Sequence, residues 1–131
     1  MFSHTSGIFA YLNFATNRKL KDILIKVLRG LRSLGCRGYD SCGISFDAIC
    51  DGIRKIIIVR TVGDYKNLER LLQEYLQDEI TEFSSHIAIG HTRWATNGSP
   101  NAFNAHPQFS SPAFEFIVVH NGIISNDKDL K

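Results

Sequence analysis

The sequence has neither a strong charge imbalance nor a long apolar run. Fifteen Lys and Arg against thirteen Asp and Glu give a net charge of +2, which is too weak to indicate binding to nucleic acid or to an anionic membrane. No apolar run approaches the length of a membrane span, and the first residues lack the pattern of a signal peptide. With 44% hydrophobic residues, we expect a soluble, cytoplasmic domain with a modest core.

Signatures of disulfides, metals and phosphate loops are also missing. The three cysteines, Cys36, Cys42 and Cys50, include no CxxC pair, so we expect reduced, buried thiols. Neither a Gly-rich phosphate loop nor a Gly-x-Ser-x-Gly elbow is present. Four histidines match no local zinc-site spacing: His86, His91, His106 and His120. We therefore expect neither a metal nor a cofactor.

Two different periods of apolar residues divide the chain into strands and helices. They predict strands over residues 7–13, 42–46, 55–60, 86–90 and 114–120, and helices over 18–34 and 64–78. Asn17 is expected to cap the first helix and Gly35 to end it. Asp51-Gly52 predicts a β-hairpin, and residues 125–131 resemble the first turn of a capped helix. The pattern as a whole predicts a layered α+β domain.

The chain is organised around residues 90–107, which read GHTRWATNGSPNAFNAHP. Arg93, expected just past the end of a strand, can present its planar fork to a carboxylate. Trp94 can form the wall of a pocket, and Gly98 and Pro100 allow a sharp turn around a small ligand. The alternative is an Arg–Trp stack on an ordinary surface loop.

Two further turns have chemical potential. Asn121 and Gly122 follow a predicted strand, where a side-chain amide and a backbone N–H can both point at a developing oxyanion. A plain Asn-Gly turn is the alternative. Residues 37–41, RGYDS, either orient a ligand loop or form a structural turn with an Asp–Arg contact.

Five motifs, taken together, resemble a known family. In chain order they are GIFAYLN, RGYDSCG, GHTRWATNG, AHPQ and EFIVVHNGIISNDKDLK. They are similar to the N-terminal glutaminase domain of glutamine–fructose-6-phosphate aminotransferase. That domain is a class II glutamine amidotransferase of the N-terminal-nucleophile hydrolase superfamily. The resemblance covers residues 7–131 as a partial domain and leaves 1–6 as a segment foreign to the family. Residues 49–85 fit by pattern only.

The resemblance implies an αββα sandwich that hydrolyses the side-chain amide of L-glutamine and passes ammonia to a separate sugar-phosphate isomerase domain. Arg93 would bind the glutamine α-carboxylate, with Thr96 beside it. Asn97 stands where the family has histidine, which alters one pocket contact. Asn121 and Gly122 would form the oxyanion hole. Trp94 would gate the ammonia, and His106 would support the pocket.

The departure with the largest consequence lies at Ser6. In the family, a cysteine at this place is residue one, its thiol is the nucleophile and its free amine is the general base. Here Thr5 precedes Ser6, so the nitrogen of Ser6 is a peptide amide and cannot act as a base. Losing general base assistance costs a factor of roughly 10²–10⁴, and a hydroxyl is less acidic than a thiol. We expect hydrolysis to be nearly abolished unless cleavage after Thr5 exposes Ser6 or His4 substitutes as the base.

Family members continue the domain for about as many residues again, so we expect only the first half of the sandwich here. The missing part carries an acidic residue that holds the glutamine α-amine. The synthase portion lies beyond it. Half a sandwich exposes an apolar sheet face and unpaired edges, which predicts an unstable or aggregation-prone chain. The abrupt change of sequence between Ser6 and Gly7 suggests an alternative start.

Two other interpretations belong to different functional classes. One is a catalytically dead regulatory or interaction module that binds glutamine or dimerises with a full-length homologue. The other is an incomplete product without a function of its own.

Overall fold

The computed structural model of the chain describes residues 6–34, 40–94 and 98–130. Four long strands, β1 (Gly7–Asn13), β3 (Ser41–Cys50), β4 (Ile53–Val62) and β6 (His86–Arg93), form an antiparallel sheet in the order β1-β6-β3-β4. Two short pairs join β2 (Arg18–Lys19) to β5 (Glu82–Phe83) and β7 (Gln108–Phe109) to β8 (Ile117–Val118). The helices are α1 (Leu20–Ser33), α2 (Tyr65–Leu71) and α3 (Gln73–Leu76). This architecture confirms the α+β prediction.

The hairpin between β3 and β4 forms at the predicted turn. Asp51 and Gly52 both have positive φ values, 54° and 74°, as a two-residue turn that follows the twist of the strands requires. The turn aligns Cys50 with Ile53, and the ladder continues to Ser41 opposite Val62. Both strands are therefore longer than the apolar runs that predicted them.

One face of the sheet packs against α1 and forms the core. Apolar residues at alternate positions of the strands meet the apolar stripe of the helix. Gly30 of α1 lies against the Phe9 ring, which is 2.3 Å from where a Cβ would stand, so only glycine allows this approach. The buried residues of this layer include Ile23, Leu24, Val27, Leu31, Ile44, Phe46, Ala48 and Ala88.

The described residues cover the opposite face of the sheet at one end only. There the segment 98–118 lies on the sheet, with the Arg60 guanidinium 3.5 Å from the carbonyl oxygens of Phe103 and Ala105. At the other end, Leu12 is 69% exposed and Ile87 is 62% exposed. This exposed apolar surface agrees with the expectation of an uncovered sheet face. None of the helices among the described residues has both the length and the apolarity that a membrane span needs.

The helices differ from the predictions at their ends. Arg18 and Lys19 pair with β5 as an extended strand, so α1 begins at Leu20. The predicted Asn17 cap is wrong, because the N-cap position is Lys19 and it has no side-chain cap hydrogen bond. The predicted helix over 64–78 is two helices interrupted at Leu72, and Asp64 caps the first by accepting from the Lys66 N–H at 3.0 Å. Gly35 lies outside the described residues.

Two strand predictions also need correction. The strand predicted over 86–90 continues to Arg93, because β6 has a hydrogen-bonding neighbour on each side along this stretch. Of residues 114–120, only Ile117 and Val118 pair, since their partner β7 is two residues long. Phe114 has a φ of 54°, outside the strand region.

The described residues from 125 onward, where the sequence resembles the first turn of a capped helix, form turns. The Asp129 N–H donates to the Asn126 carbonyl oxygen at 3.0 Å.

Candidate active site

Three of the predicted site residues meet at one end of the sheet. The Trp94 N–H donates to Ser6 Oγ at 3.0 Å, and Asn121 Nδ2 donates to the Ser6 carbonyl oxygen at 2.8 Å. The first contact follows from sheet pairing, because Gly7 lies opposite Thr92 in neighbouring strands. The second contact spans 115 positions of the chain. Residue 6 therefore lies between the Arg93-Trp94 pair and the Asn121-Gly122 turn.

Arg93 lies on the sheet rather than just beyond it. It is the last residue of β6, opposite Ser41, and its carbonyl oxygen accepts from the Asp40 N–H at 3.3 Å. Its guanidinium points to the following loop, where Nη1 donates to the Ser99 carbonyl oxygen at 3.3 Å and Nη2 to that of Gly98 at 3.4 Å. The arginine therefore connects the end of the central strand to the loop.

Side-chain amides organise the loop that follows Arg93. Asn104 Nδ2 donates to the Ser99 carbonyl oxygen at 3.1 Å, and the Asn104 N–H donates to Asn101 Oδ1 at 2.8 Å. Gln108 Nε2 donates to the carbonyl oxygens of Phe103 and Ala105 at 2.9 and 2.7 Å. These amides were not among the predicted site residues, although asparagines that bond to nearby backbone are typical of such turns.

Two histidine rings lie against each other next to the Asn121 turn. The ring centroids of His91 and His106 are 4.8 Å apart with the ring planes tilted by 39°, and His106 Nδ1 accepts from the His120 N–H at 3.3 Å. His91 is 1% exposed. Burial and the neighbouring His106 lower the pKa of His91 to about 4. Burial also lowers the pKa of His106, so both rings are neutral near pH 7.

His86 and Cys50 lie away from this end of the sheet, whereas Cys42 lies opposite Thr92 and is buried in the core on the helix-covered face. His86 pairs with Asn13 at the far end of β6, and its Nε2 is 2.9 Å from the Asp47 carbonyl oxygen. Burial raises the pKa of the Cys42 thiol to about 12, as expected for an inert, buried thiol. Cys50 is only half-buried. Among the residues that the structure describes, no group of three His, Cys, Asp or Glu is arranged to hold a metal ion.

Some predicted site residues cannot be compared with the structure. Thr96 and Asn97 lie outside the described residues, as do Cys36 and most of the RGYDS turn. Of that turn, Ser41 Oγ donates to the Asp40 carboxylate at 3.0 Å. Gly122 is exposed beside the His120 ring.

No protein-family model matches the chain. Among curated proteins it is 45% identical over 128 residues to glutamine–fructose-6-phosphate aminotransferase [isomerizing] 2 of Bos taurus. The identity to the Mus musculus enzyme of the same name is 46% over 128 residues, and to the Saccharomyces cerevisiae enzyme it is 41% over 125 residues. The chain is homologous to part of glutamine–fructose-6-phosphate aminotransferase. This homology confirms the resemblance inferred from the five motifs.

The matched share of the chain is much larger than the matched share of its relatives. Each of these alignments covers 95% of the chain but only 17–19% of the relative. The chain thus spans less than a fifth of the length of the curated relatives it matches.

Proposed function

We propose that residues 7–131 are a partial glutaminase domain that binds L-glutamine and belongs to a glutamine–fructose-6-phosphate aminotransferase. The proposed fold is the first half of an αββα N-terminal-nucleophile-hydrolase sandwich, in the cytoplasm. Ammonia from glutamine would serve glucosamine 6-phosphate synthesis on a separate isomerase domain. The homology to enzymes with this name and the α+β architecture support the proposal.

The observation that carries the proposal is the meeting of Ser6, Trp94 and Asn121. Residue 6 is where attack on the glutamine amide carbon would start, so an oxyanion donor must lie within a few ångströms of it. Asn121 Nδ2 is 2.8 Å from the Ser6 carbonyl oxygen, within reach of an oxyanion formed there. The Gly122 N–H is the proposed second donor.

Arg93 is the proposed anchor for the α-carboxylate of glutamine. A guanidinium has five N–H donors in a planar fork, so it can hold loop carbonyls and a carboxylate together. The position of Arg93, next to the Trp94 that contacts Ser6, supports this role. Thr96 and Asn97 follow directly in sequence and complete the proposed binding loop. His106 lies beneath the loop, and the Trp94 indole is the proposed ammonia gate.

Hydrolysis by the chain as it stands is proposed to be very slow. Ser6 takes the place of the family's cysteine. The peptide bond from Thr5 turns the nitrogen of Ser6 into an amide, which cannot act as the base. Without base assistance the rate falls by roughly 10²–10⁴. The weaker acidity of a hydroxyl lowers the rate further.

Four proteins separate these two causes by glutamate and ammonia release from glutamine. They are the natural chain, Ser6→Cys with residues 1–5 retained, deletion of residues 1–5 with Ser6 kept, and the deletion combined with Ser6→Cys. Activity only in the last protein would support the proposal, because it restores both the thiol and the terminal amine. Activity in the natural chain would contradict the argument about Ser6.

A glutamine-binding module without hydrolysis is a second candidate. The hydroxyl and the carbonyl of Ser6 are both in internal hydrogen bonds, as in a residue with a structural role. Such a module, alone or as the dimer partner of a full-length homologue, would bind glutamine without turnover. Calorimetric titration with glutamine tests this candidate. The variant is Arg93→Lys, and the control is Arg54→Lys, at the opposite end of the sheet. Binding that Arg93→Lys weakens and Arg54→Lys preserves would support this candidate, and no binding by the natural chain would exclude it.

A further inference from the structure

We infer that His106 is a positioning residue that, in its neutral form, holds Asn121 against Ser6. The inference rests on the proposed function only in taking Asn121 as the oxyanion donor. Its structural content, a hydrogen-bonded link from the sheet to Asn121, can be tested without any turnover.

The link runs through the backbone of His120. His106 Nδ1 accepts from the His120 N–H at 3.3 Å, and the next residue, Asn121, donates to the Ser6 carbonyl oxygen at 2.8 Å. A ring nitrogen that accepts must carry a lone pair, so the proton of the neutral ring is on Nε2. Protonation of Nδ1 would turn two donors toward each other and remove the link.

His106 is itself fixed on the central sheet. Its ring lies 4.8 Å from that of His91, which is buried on β6. Its carbonyl oxygen lies 2.2 Å from where a Cβ of Gly43 would stand, on the neighbouring strand β3. The absence of a side chain at Gly43 therefore allows the His106 backbone to lie directly on the sheet. The position of Asn121 is thereby tied to the two central strands.

The surroundings of His106 oppose its protonation. Burial is the largest cause that lowers its pKa, and the titratable and charged groups of the described residues that face it are bases: His91 and Arg93 on β6, Arg60 on β4 and His120 after β8. The positive charges lower the pKa further, although a hydrogen bond to the Val118 backbone acts in the other direction. The link is therefore intact at neutral pH. It is lost as the pH falls through the lowered pKa of His106, which lies below the reference value of 6.5.

The test follows Asn121 and His120 by NMR spectroscopy of the full-length, ¹⁵N-labelled chain from pH 7.5 to 5. We expect the NMR signals of the Asn121 side-chain amide and of the His120 backbone amide to shift together. The midpoint of that shift should equal the midpoint at which the ring nitrogen signals of His106 titrate. His106→Asn keeps an acceptor near the place of Nδ1 but cannot titrate, so the high-pH signals should persist at pH 5. His106→Phe keeps the ring but has no acceptor, so the low-pH signals should appear at pH 7.5.

Other results would overturn the inference. Asn121 signals that do not follow the His106 titration, or that still titrate in His106→Asn, would show that another group holds the turn. An undispersed spectrum of the natural chain at pH 7.5 would show that no ordered link exists. Because glutamine is not used, the expected titration in a chain that fails to bind glutamine would reject the proposed function and keep this inference.

Discussion

The two faces of the central sheet contrast in how they are covered. On one face, alternate residues of the strands pack against α1, and Ile23, Leu24 and Ile44 are completely buried. On the other face, the segment 98–118 covers the end that carries His91, and the far end leaves Leu12 and Ile87 exposed. The difference shows that one face provides most of the core, whereas the other provides the floor of the candidate site.

Strand β6 contributes to both faces in alternation. Ala88 and Gly90 point to the helices, and Ile87 and His91 point to the other side. Neighbouring residues of the same strand thus belong to the core and to the candidate site. Substitutions on the two faces should therefore separate these two properties.

The largest expected effect is the loss of a buried side chain from the helix-covered face. Ile44→Ala removes a completely buried side chain from β3, and we expect the free energy of unfolding to fall by about 2–5 kcal/mol. Ile87→Ala is the matched control on the other face, where the side chain is 62% exposed. We expect that control to change the free energy by no more than about 1 kcal/mol. Urea unfolding followed by circular dichroism measures both.

Equal losses in the two variants would contradict the comparison. They would show that Ile87 is buried in solution, and a rise of the unfolding midpoint with protein concentration would then identify self-association as the cause. The prediction of an aggregation-prone chain is tested by the solubility limit in buffer, which Ile87→Thr should raise if the exposed face is responsible.

The next effect concerns the pH dependence contributed by His91. Its pKa of about 4 in the folded chain lies below the reference value of 6.5, so the unfolded chain binds more protons between these two pH values. The stabilisation is complete above pH 6.5 and is lost as the pH falls toward 4. It amounts to about 3 kcal/mol at most. His91→Phe keeps a ring against His106 and should remove this part of the pH dependence.

Urea unfolding at pH 7.5 and at pH 4.5 measures the His91 contribution. The value at pH 7.5 gives the packing cost of the substitution, since His91 is neutral there. The loss between the two pH values should be smaller by about 2–3 kcal/mol in the variant. His86 and His106, whose pKa values burial also lowers, account for a residual loss in both proteins. An unchanged loss would show that His91 is accessible to protons in the folded chain.

The elements that the sequence predicted well are those encoded locally. Strand β1 has the predicted bounds, and Asp51-Gly52 forms the predicted turn, because alternation and turn chemistry act within a few residues. The sequence predicts Arg18 and Lys19 as helix, whereas they pair with β5. Local pattern cannot reveal that pairing, because the partners are more than sixty positions away. The strand predicted over 114–120 is too long for a similar reason, since the short partner β7 sets the number of paired residues.

The candidate site shows the same limit more strongly. Residue types indicated Arg93 and Asn121 as chemically capable, but an ordinary loop was as compatible with the sequence around Arg93, and a plain turn was the commoner outcome for Asn121-Gly122. Their proximity to Ser6 depends on sheet pairing and on a contact across 115 positions. The five-motif resemblance pointed to this grouping, whereas the contact between His91 and His106 had no recognisable signal in the spacing of the histidines.

The smallest expected effect comes from replacing a glycine by alanine on each face of the sheet, in two neighbouring strands. Gly90→Ala places a Cβ 3.0 Å from the Leu31 side chain on the helix-covered face, which can move slightly. Gly43→Ala places a Cβ 2.2 Å from the His106 carbonyl oxygen, which is backbone and must move as a whole. Both overpack, and we expect a loss of about 1–3 kcal/mol for Gly43→Ala and less for Gly90→Ala. The decisive readout is the Asn121 side-chain amide signal, which Gly43→Ala should displace and Gly90→Ala should leave in place. The reverse result would mean that the helix-covered face, and not the contact between the two histidines, determines where Asn121 lies.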